Sequence, residues 1–166
     1  MEKSGIRWYG FIKKGGGGTV FRGRYEHALD SKGRISIPSK FREILNKKYD
    51  DRLIITNFDH CLLAFPYEEW NQLVEQKVGS FSILRKETSS FLRFFYSSAI
   101  DCAIDTHGRL LIPPTLRDYA NLKRDVVLVG EGRFVEIFAK EQWQEVAQQA
   151  EEGFDQIRDT LANLGI

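Results

Sequence analysis

Only two cysteines, four prolines, three histidines and one methionine occur among 166 residues. Cys61 and Cys102 have no Cys-x-x-Cys partner and no histidines at ligand spacing. A disulfide framework or zinc site is therefore not expected, and both read as small core residues. No apolar run approaches the roughly 20 residues needed to cross a bilayer. Ser4, Arg7, Lys13 and Lys14 interrupt any apolar stretch near the start, which argues against a signal peptide. The expectation is a soluble cytoplasmic protein with no metal and no cofactor. A net charge of only +1 does not mark the whole chain as a binder of polyanions.

What is present supports a folded chain. Hydrophobic residues make up 42%, with twelve Phe and three Trp, enough for one ordinary core. Charge is unevenly distributed. Arg22, Arg24, Lys32, Arg34, Lys40 and Arg42 face only Glu26 and Asp30 in one short stretch, whereas the chain after Glu141 is acid-rich. Such asymmetry suits an anionic partner for one face.

The main signal is an internal repeat. DSKGRISIPSKFREIL, from Asp30, lies over DTHGRLLIPPTLRDYA, from Asp105, with six of sixteen positions identical at an offset of 75. His27–Asp30 faces Cys102–Asp105, and RLIITNFDHCLLAFPYEEW faces DVVLVGEGRFVEIFAKEQW at an offset of 73. The units predicted are 24–76 and 99–149, with a connecting helix in 77–98 and a helical tail in 150–166.

Each unit has the same layout. Strand-like runs Tyr25–Leu29 and Arg34–Ile37 flank a polar loop with glycine, the pattern of a β-hairpin. Pro38 and Pro113 open short helices over Ser39–Leu45 and Pro114–Tyr119. A second hairpin follows, Leu53–Thr56 with Cys61–Phe65 and Val126–Val129 with Phe134–Phe138. Amphipathic helices are predicted over Tyr67–Gln76 and Lys140–Gln149, and a connecting helix over Ile83–Ser97. The last helix is expected to continue past Gly153 and fray. Units this small cannot each bury a core, so an α+β fold of two tandem β-α-β units intertwined about a pseudo-twofold is expected.

The doubled loop Asp-x-x-Gly-Arg carries the functional reading. Asp30 and Asp105 would accept local backbone N–H bonds, and Gly33 and Gly108 would take the left-handed turn. One such loop taken alone reads as structural, with an Asp–Arg pair locking the turn. Two of them bring Lys32, Arg34, His107 and Arg109 to loops able to share one surface, and Arg22 of the basic run is counted with them. Guanidinium groups on a rigid turn suit phosphates and guanine edges, so double-stranded DNA is the expected partner. A catalytic reading rests on a faint likeness to the paired Asp-Thr-Gly loops of aspartic proteases. Here the loop is one residue longer, and an arginine four positions on would hold each carboxylate ionised. No enzyme activity is expected.

FRGRYEHALDSKGRISIPSKFRE, CLLAFPYEEW and DTHGRLLIPPTLRDYA closely resemble the MraZ family of bacterial transcriptional regulators, within the AbrB-like swapped-hairpin superfamily. The resemblance runs from about Val20 to Gln149. It implies a double-split β-α-β (AbrB/SpoVT-like) fold and a homo-oligomeric ring of roughly eight to twelve subunits. It further implies nucleoid-associated repression of the division and cell-wall gene cluster, including the protein's own operon, through short direct repeats. By position, Lys32 and Arg34 match the family's DNA-contacting loop and Arg109 its second copy. His107 in place of lysine makes the second loop less basic. An antitoxin of the same superfamily is the alternative, but its usual long toxin-wrapping tail has no counterpart in the short segment after the second unit.

Residues 1–19 fall outside the resemblance, and Val20-Phe21-Arg22-Gly23 stands where family members begin Met-Phe-Arg-Gly. Val20 is therefore read as the initiator, with Lys13–Gly18 the translation of a purine-rich ribosome-binding site. The alternative is a flexible, weakly basic arm.

Overall fold

The computed structural model describes residues 20–82 and 84–166. The arm expected in residues 1–19 thus lies outside the described residues, which begin at Val20.

Among the described residues eight strands and six α-helices follow one another as two similar series. The first contains β1 (Arg24–Ala28), β2 (Arg34–Ser36), α1 (Ser39–Lys48), β3 (Arg52–Phe58), β4 (Cys61–Pro66) and α2 (Tyr67–Glu69), then α3 (Lys86–Ser97). The second contains β5 (Ile100–Ala103), β6 (Arg109–Leu111), α4 (Pro114–Tyr119), β7 (Asp125–Gly130), β8 (Val135–Ala139), α5 (Lys140–Glu152) and α6 (Phe154–Asn163). The α+β expectation holds.

The strands pair across the repeat. A six-stranded antiparallel sheet runs β1-β7-β8-β4-β3-β5, and β2 pairs only with β6 in a separate ribbon. The expected β1–β2 hairpin is therefore not a paired hairpin. Its loop closes tightly, but β1 joins β7 of the other unit and β2 joins β6. The cross-repeat ribbon leaves the facing residues Ile35 and Leu110 fully buried against the sheet.

Register reveals the symmetry. Ile35 lies opposite its own repeat-mate Leu110 in the ribbon, and Leu63 lies opposite its repeat-mate Glu136 in the sheet. A pseudo-twofold axis passes through both pairs, so the units share one core rather than standing side by side.

That core has two layers. On one face of the sheet Ile35, Ile37, Phe41, Leu110, Ile112 and Leu116 of the ribbon and helices meet Leu53, Ile55, Leu62, Leu128 and Ile137. On the other, Trp70, Leu73, Val74 and Phe95 cover Ile54, Leu63, Phe65, Val127 and Phe138. Because both faces are covered, β4 is buried along its whole length and reads as an unbroken apolar run rather than an alternating one.

Helix boundaries depart from expectation in four places. α1 runs on to Lys48, with Lys47 and Lys48 favourably placed in its last turn. The helix predicted over Tyr67–Gln76 is interrupted by a π turn over Trp70–Glu75. There Trp70 Nε1 donates to Glu75 Oε1 at 2.9 Å, a side-chain bond at the five-residue spacing of a π turn. The connecting helix begins at Lys86 rather than at residue 83, which is not described. The C-terminal helix breaks at Gly153 (φ −85°, ψ 2°), and α6 then forms as a second regular helix instead of fraying.

Candidate nucleic-acid interface

The two Asp-x-x-Gly-Arg loops are near-copies in atomic detail. Gly33 N–H donates to the Asp30 carbonyl at 3.0 Å, and Asp30 N–H to the Arg34 carbonyl at 2.9 Å. Asp30 Oδ1 accepts from the N–H groups of Lys32 and Arg34, both at 2.9 Å, while Arg34 Nε donates to Oδ2 at 2.7 Å. Asp105 repeats the set with His107 N–H, Arg109 N–H and Arg109 Nε, at 2.8, 2.9 and 3.0 Å. The Arg34 backbone N–H, then its guanidinium and the Lys32 N–H, hold Asp30 below the usual carboxylate range. Asp105 is lowered by the Arg109 N–H first, with His107 N–H and the Arg109 guanidinium assisting. Both carboxylates are thus ionised anchors that fix an arginine by its Nε.

Gly33 (φ +81°) and Gly108 (φ +75°) take the left-handed conformation that side chains resist. Each also lies under an arginine of the opposite unit. A Cβ on Gly33 would stand 2.6 Å from Arg117 Cζ, and one on Gly108 2.6 Å from Arg42. The loops are tied across the axis as well: Ile112 N–H donates to the Gly33 carbonyl and Ile37 N–H to that of Gly108.

The ribbon register decides what faces outward. Arg34 pairs with Leu111 and Ser36 with Arg109, whereas Ile35 and Leu110 between them are buried. Directly opposed residues share a face, so Arg34, Ser36, Arg109 and Leu111 all point away from the core. Arg34 and Arg109 are diagonal neighbours, about 7–8 Å apart at the backbone. Lys32 and His107 are exposed at the two loop tips. Arg22 is not part of this group. It precedes β1, whereas the loop follows that strand, which puts it on the order of 20–25 Å away along extended chain.

Sequence reasoning missed four charged neighbours of the loops. Leu29 N–H donates to the Arg124 carbonyl at 2.7 Å, so exposed Lys123 and Arg124 flank the first loop. At the symmetric position Ile104 N–H donates to the Asp51 carbonyl at 3.0 Å, so exposed Asp50 and Asp51 flank the second, Asp50 being paired with Arg52 at 2.6 Å. The offset of 73 already aligns Lys123–Arg124 with Asp50–Asp51, but only cross-pairing puts each pair beside the other unit's loop. Arg42 and Arg117, identical in the repeat, were legible as repeated residues but not as covers for the loop glycines.

Other chemistry is sparse. Burial first, then the Asp101 charge, pushes the Cys102 thiol up to about 11. Burial and neighbouring acids, Glu136 foremost, raise Cys61 further still. Neither is a reactive thiolate at neutral pH. Among the described residues no group of three or more His, Cys, Asp or Glu is arranged to hold a metal, and no helix is long and apolar enough to cross a membrane.

Comparison with known proteins agrees with this architecture. A family model described as "MraZ protein, putative antitoxin-like" matches twice, over residues 20–94 and 95–164. The transcriptional regulator MraZ of Syntrophobacter fumaroxidans is 43% identical over 90% of this chain and 99% of its own length. That of Syntrophomonas wolfei is 40% identical over 89% of this chain and its own full length. A solved structure from Pyrococcus horikoshii, PHS018, matches at a TM-score of 0.31 and 15% identity over 70% of this chain and 87% of that one, too loosely to bear on the fold.

Proposed function

The chain belongs to the MraZ family of transcriptional regulators, and from that premise we propose that it reads double-stranded DNA through the outward face of the β2–β6 ribbon and its two loops. The observation carrying this reading is the pair of arginines, each held by an ionised aspartate, standing as diagonal neighbours on that face. A two-stranded ribbon fits the major groove, where a fixed guanidinium fork matches a guanine edge or a phosphate. Arg34 leads, with Lys32 at its tip and Lys123 and Arg124 beside it. Arg109 and His107 assist from a loop flanked by Asp51 and by Asp50, the latter paired with Arg52, and Arg22 adds only to the general positive field.

Each copy offers few basic groups, so a homo-oligomeric ring is the form in which they suffice, because linked sites gain avidity on consecutive repeats. The targets are short direct repeats upstream of the protein's own operon in the division and cell-wall cluster, and their occupation represses it at the nucleoid. The test is a footprint on that upstream region at physiological salt. Protection of evenly spaced repeats, lost when one spacer is changed by half a helical turn (about 5 base pairs), is expected. Equal affinity for an unrelated duplex overturns the reading.

A further inference from the structure

The outward face of the β2–β6 ribbon is made by Arg34, Ser36, Arg109 and Leu111. Three of these are polar. Leu111 is a large apolar residue, 53% exposed, on a surface otherwise suited to phosphates and base edges. A single exposed leucine is ordinary on a protein surface. Its place here is not, because the ribbon gives it no apolar neighbour on that face.

Register fixes what stands beside it. Ile112 N–H donates to the Gly33 carbonyl at 3.0 Å, and Ile37 N–H to the Gly108 carbonyl at 2.9 Å. Antiparallel alternation counted inward from those bonded pairs leaves Arg34 with Leu111, and Ser36 with Arg109, as unbonded pairs. Residues of unbonded pairs stand closest, with α-carbons about 4.5 Å apart. Leu111 therefore lies directly beside Arg34, at a spacing comparable to one base step of about 3.4 Å.

The repeat shows that the fold does not ask for a leucine there. Its repeat-mate is Ser36, exposed in the same way and placed opposite Arg109. The ribbon's packing is met by Ile35 and Leu110, both fully buried, so the outward position is free to differ between units. The end that holds Arg34 carries the apolar side chain, and the end that holds Arg109 carries a hydroxyl.

The major groove offers one apolar group at its base edges, the C5-methyl of thymine, and apolar side chains read it by contact. We propose that Leu111 reads a thymine methyl within about two base pairs of the group bound by Arg34. Guanidinium and leucine then recognise adjoining positions by different chemistry, polar at one and apolar at the next. Ser36 gives no such apolar contact, so the two ends of the ribbon prefer different bases. The inference rests on the DNA reading above and adds a base to it.

The test uses the full chain and fluorescence anisotropy on the upstream duplex, synthesised with thymidine or with deoxyuridine throughout the repeats. Deoxyuridine lacks only the methyl. Losing one buried methyl contact weakens binding about fourfold, so wild type should bind the uracil duplex weaker by about that factor or more. Leu111→Ser, which installs the side chain of the other unit, should bind the thymine duplex correspondingly weakly and no longer distinguish the two. Circular dichroism and light scattering check that the variant folds and keeps the wild-type mass. A wild type indifferent to uracil, yet still preferring the upstream repeats to an unrelated duplex, overturns the role of Leu111 and leaves the DNA reading standing. A variant that keeps the wild-type ratio overturns it too, because the methyl is then felt elsewhere. A variant of reduced mass with that ratio unchanged puts Leu111 in a contact between copies and overturns it as well. Wild type without preference for the upstream repeats overturns both readings.

Discussion

Replacing Arg34 by alanine should weaken specific DNA binding far more than the same change at Arg109. In the folded loop Arg34 is fixed through Nε to Asp30, and the ribbon register puts it on the outward face opposite Leu111. Asp30 keeps the N–H bonds of Lys32 and Arg34 in the variant, so the turn should survive. A fork contact to a guanine edge is worth about 1–3 kcal/mol of discrimination, or roughly 5- to 150-fold in affinity. A phosphate contact would instead lower the salt slope by about 0.9 per contact, alike on all sequences. Arg109→Ala should cost less than about fivefold, since its loop carries His107 and is flanked by Asp50 and Asp51 rather than Lys123 and Arg124. Fluorescence anisotropy on the upstream repeats and on an unrelated duplex, across a salt series, separates these outcomes. Arg34→Ala binding within twofold of wild type at every salt, or Arg109→Ala matching it, would refute the assignment of a leading loop.

Two further outcomes follow from buried geometry. Burial, then the hydrogen bond and charge of Glu131, push the Glu136 carboxyl up to about 9 from an ordinary 4.5. Between those values the folded protein keeps a proton that the unfolded chain has released, so stability falls as pH rises, by at most about 1.4 kcal/mol per pH unit. Glu136→Gln should flatten urea-unfolding midpoints between pH 5 and 9; an unchanged pH profile would count against this carboxyl as the source. Gly33→Ala should destabilise by about 1–2 kcal/mol from its left-handed backbone. It should cost more than Gly108→Ala, because the new Cβ displaces Arg117 from its 2.9 Å bond to the Ile112 carbonyl, whereas Arg42 makes no side-chain hydrogen bond among the described residues. Equal unfolding midpoints for the two variants would contradict that difference.

Much of the fold was written locally. The glycine turns, the prolines at 38 and 113 and the paired apolar runs each specify a short element, and two copies of the pattern imply an axis. Partner choice was not local. A strand, a four-residue polar loop and a second strand look alike whether the strands pair with each other or with a copy many residues away, so β1–β7 and β2–β6 were hidden behind an ordinary hairpin signature. The same limit hid half of the candidate site. Arg34 and Lys32 were visible because they sit in the loop, whereas Lys123 and Arg124 reach it only through the backbone bond at Leu29. Arg22, close in sequence, is carried off by the full length of β1. The π turn at Trp70 was invisible for a different reason, since a widened turn keeps nearly the same apolar spacing as an ordinary one.

The axis through Ile35–Leu110 and Leu63–Glu136 makes this one chain a dimer fused to itself. A dimer of identical chains has no front or back, and an element read by it is most naturally a palindrome. Fusion removes that obligation. Once lysine can become histidine in one loop and a basic flank can become acidic beside it, the molecule acquires an arrowhead. Arrowheads set in a row all point the same way.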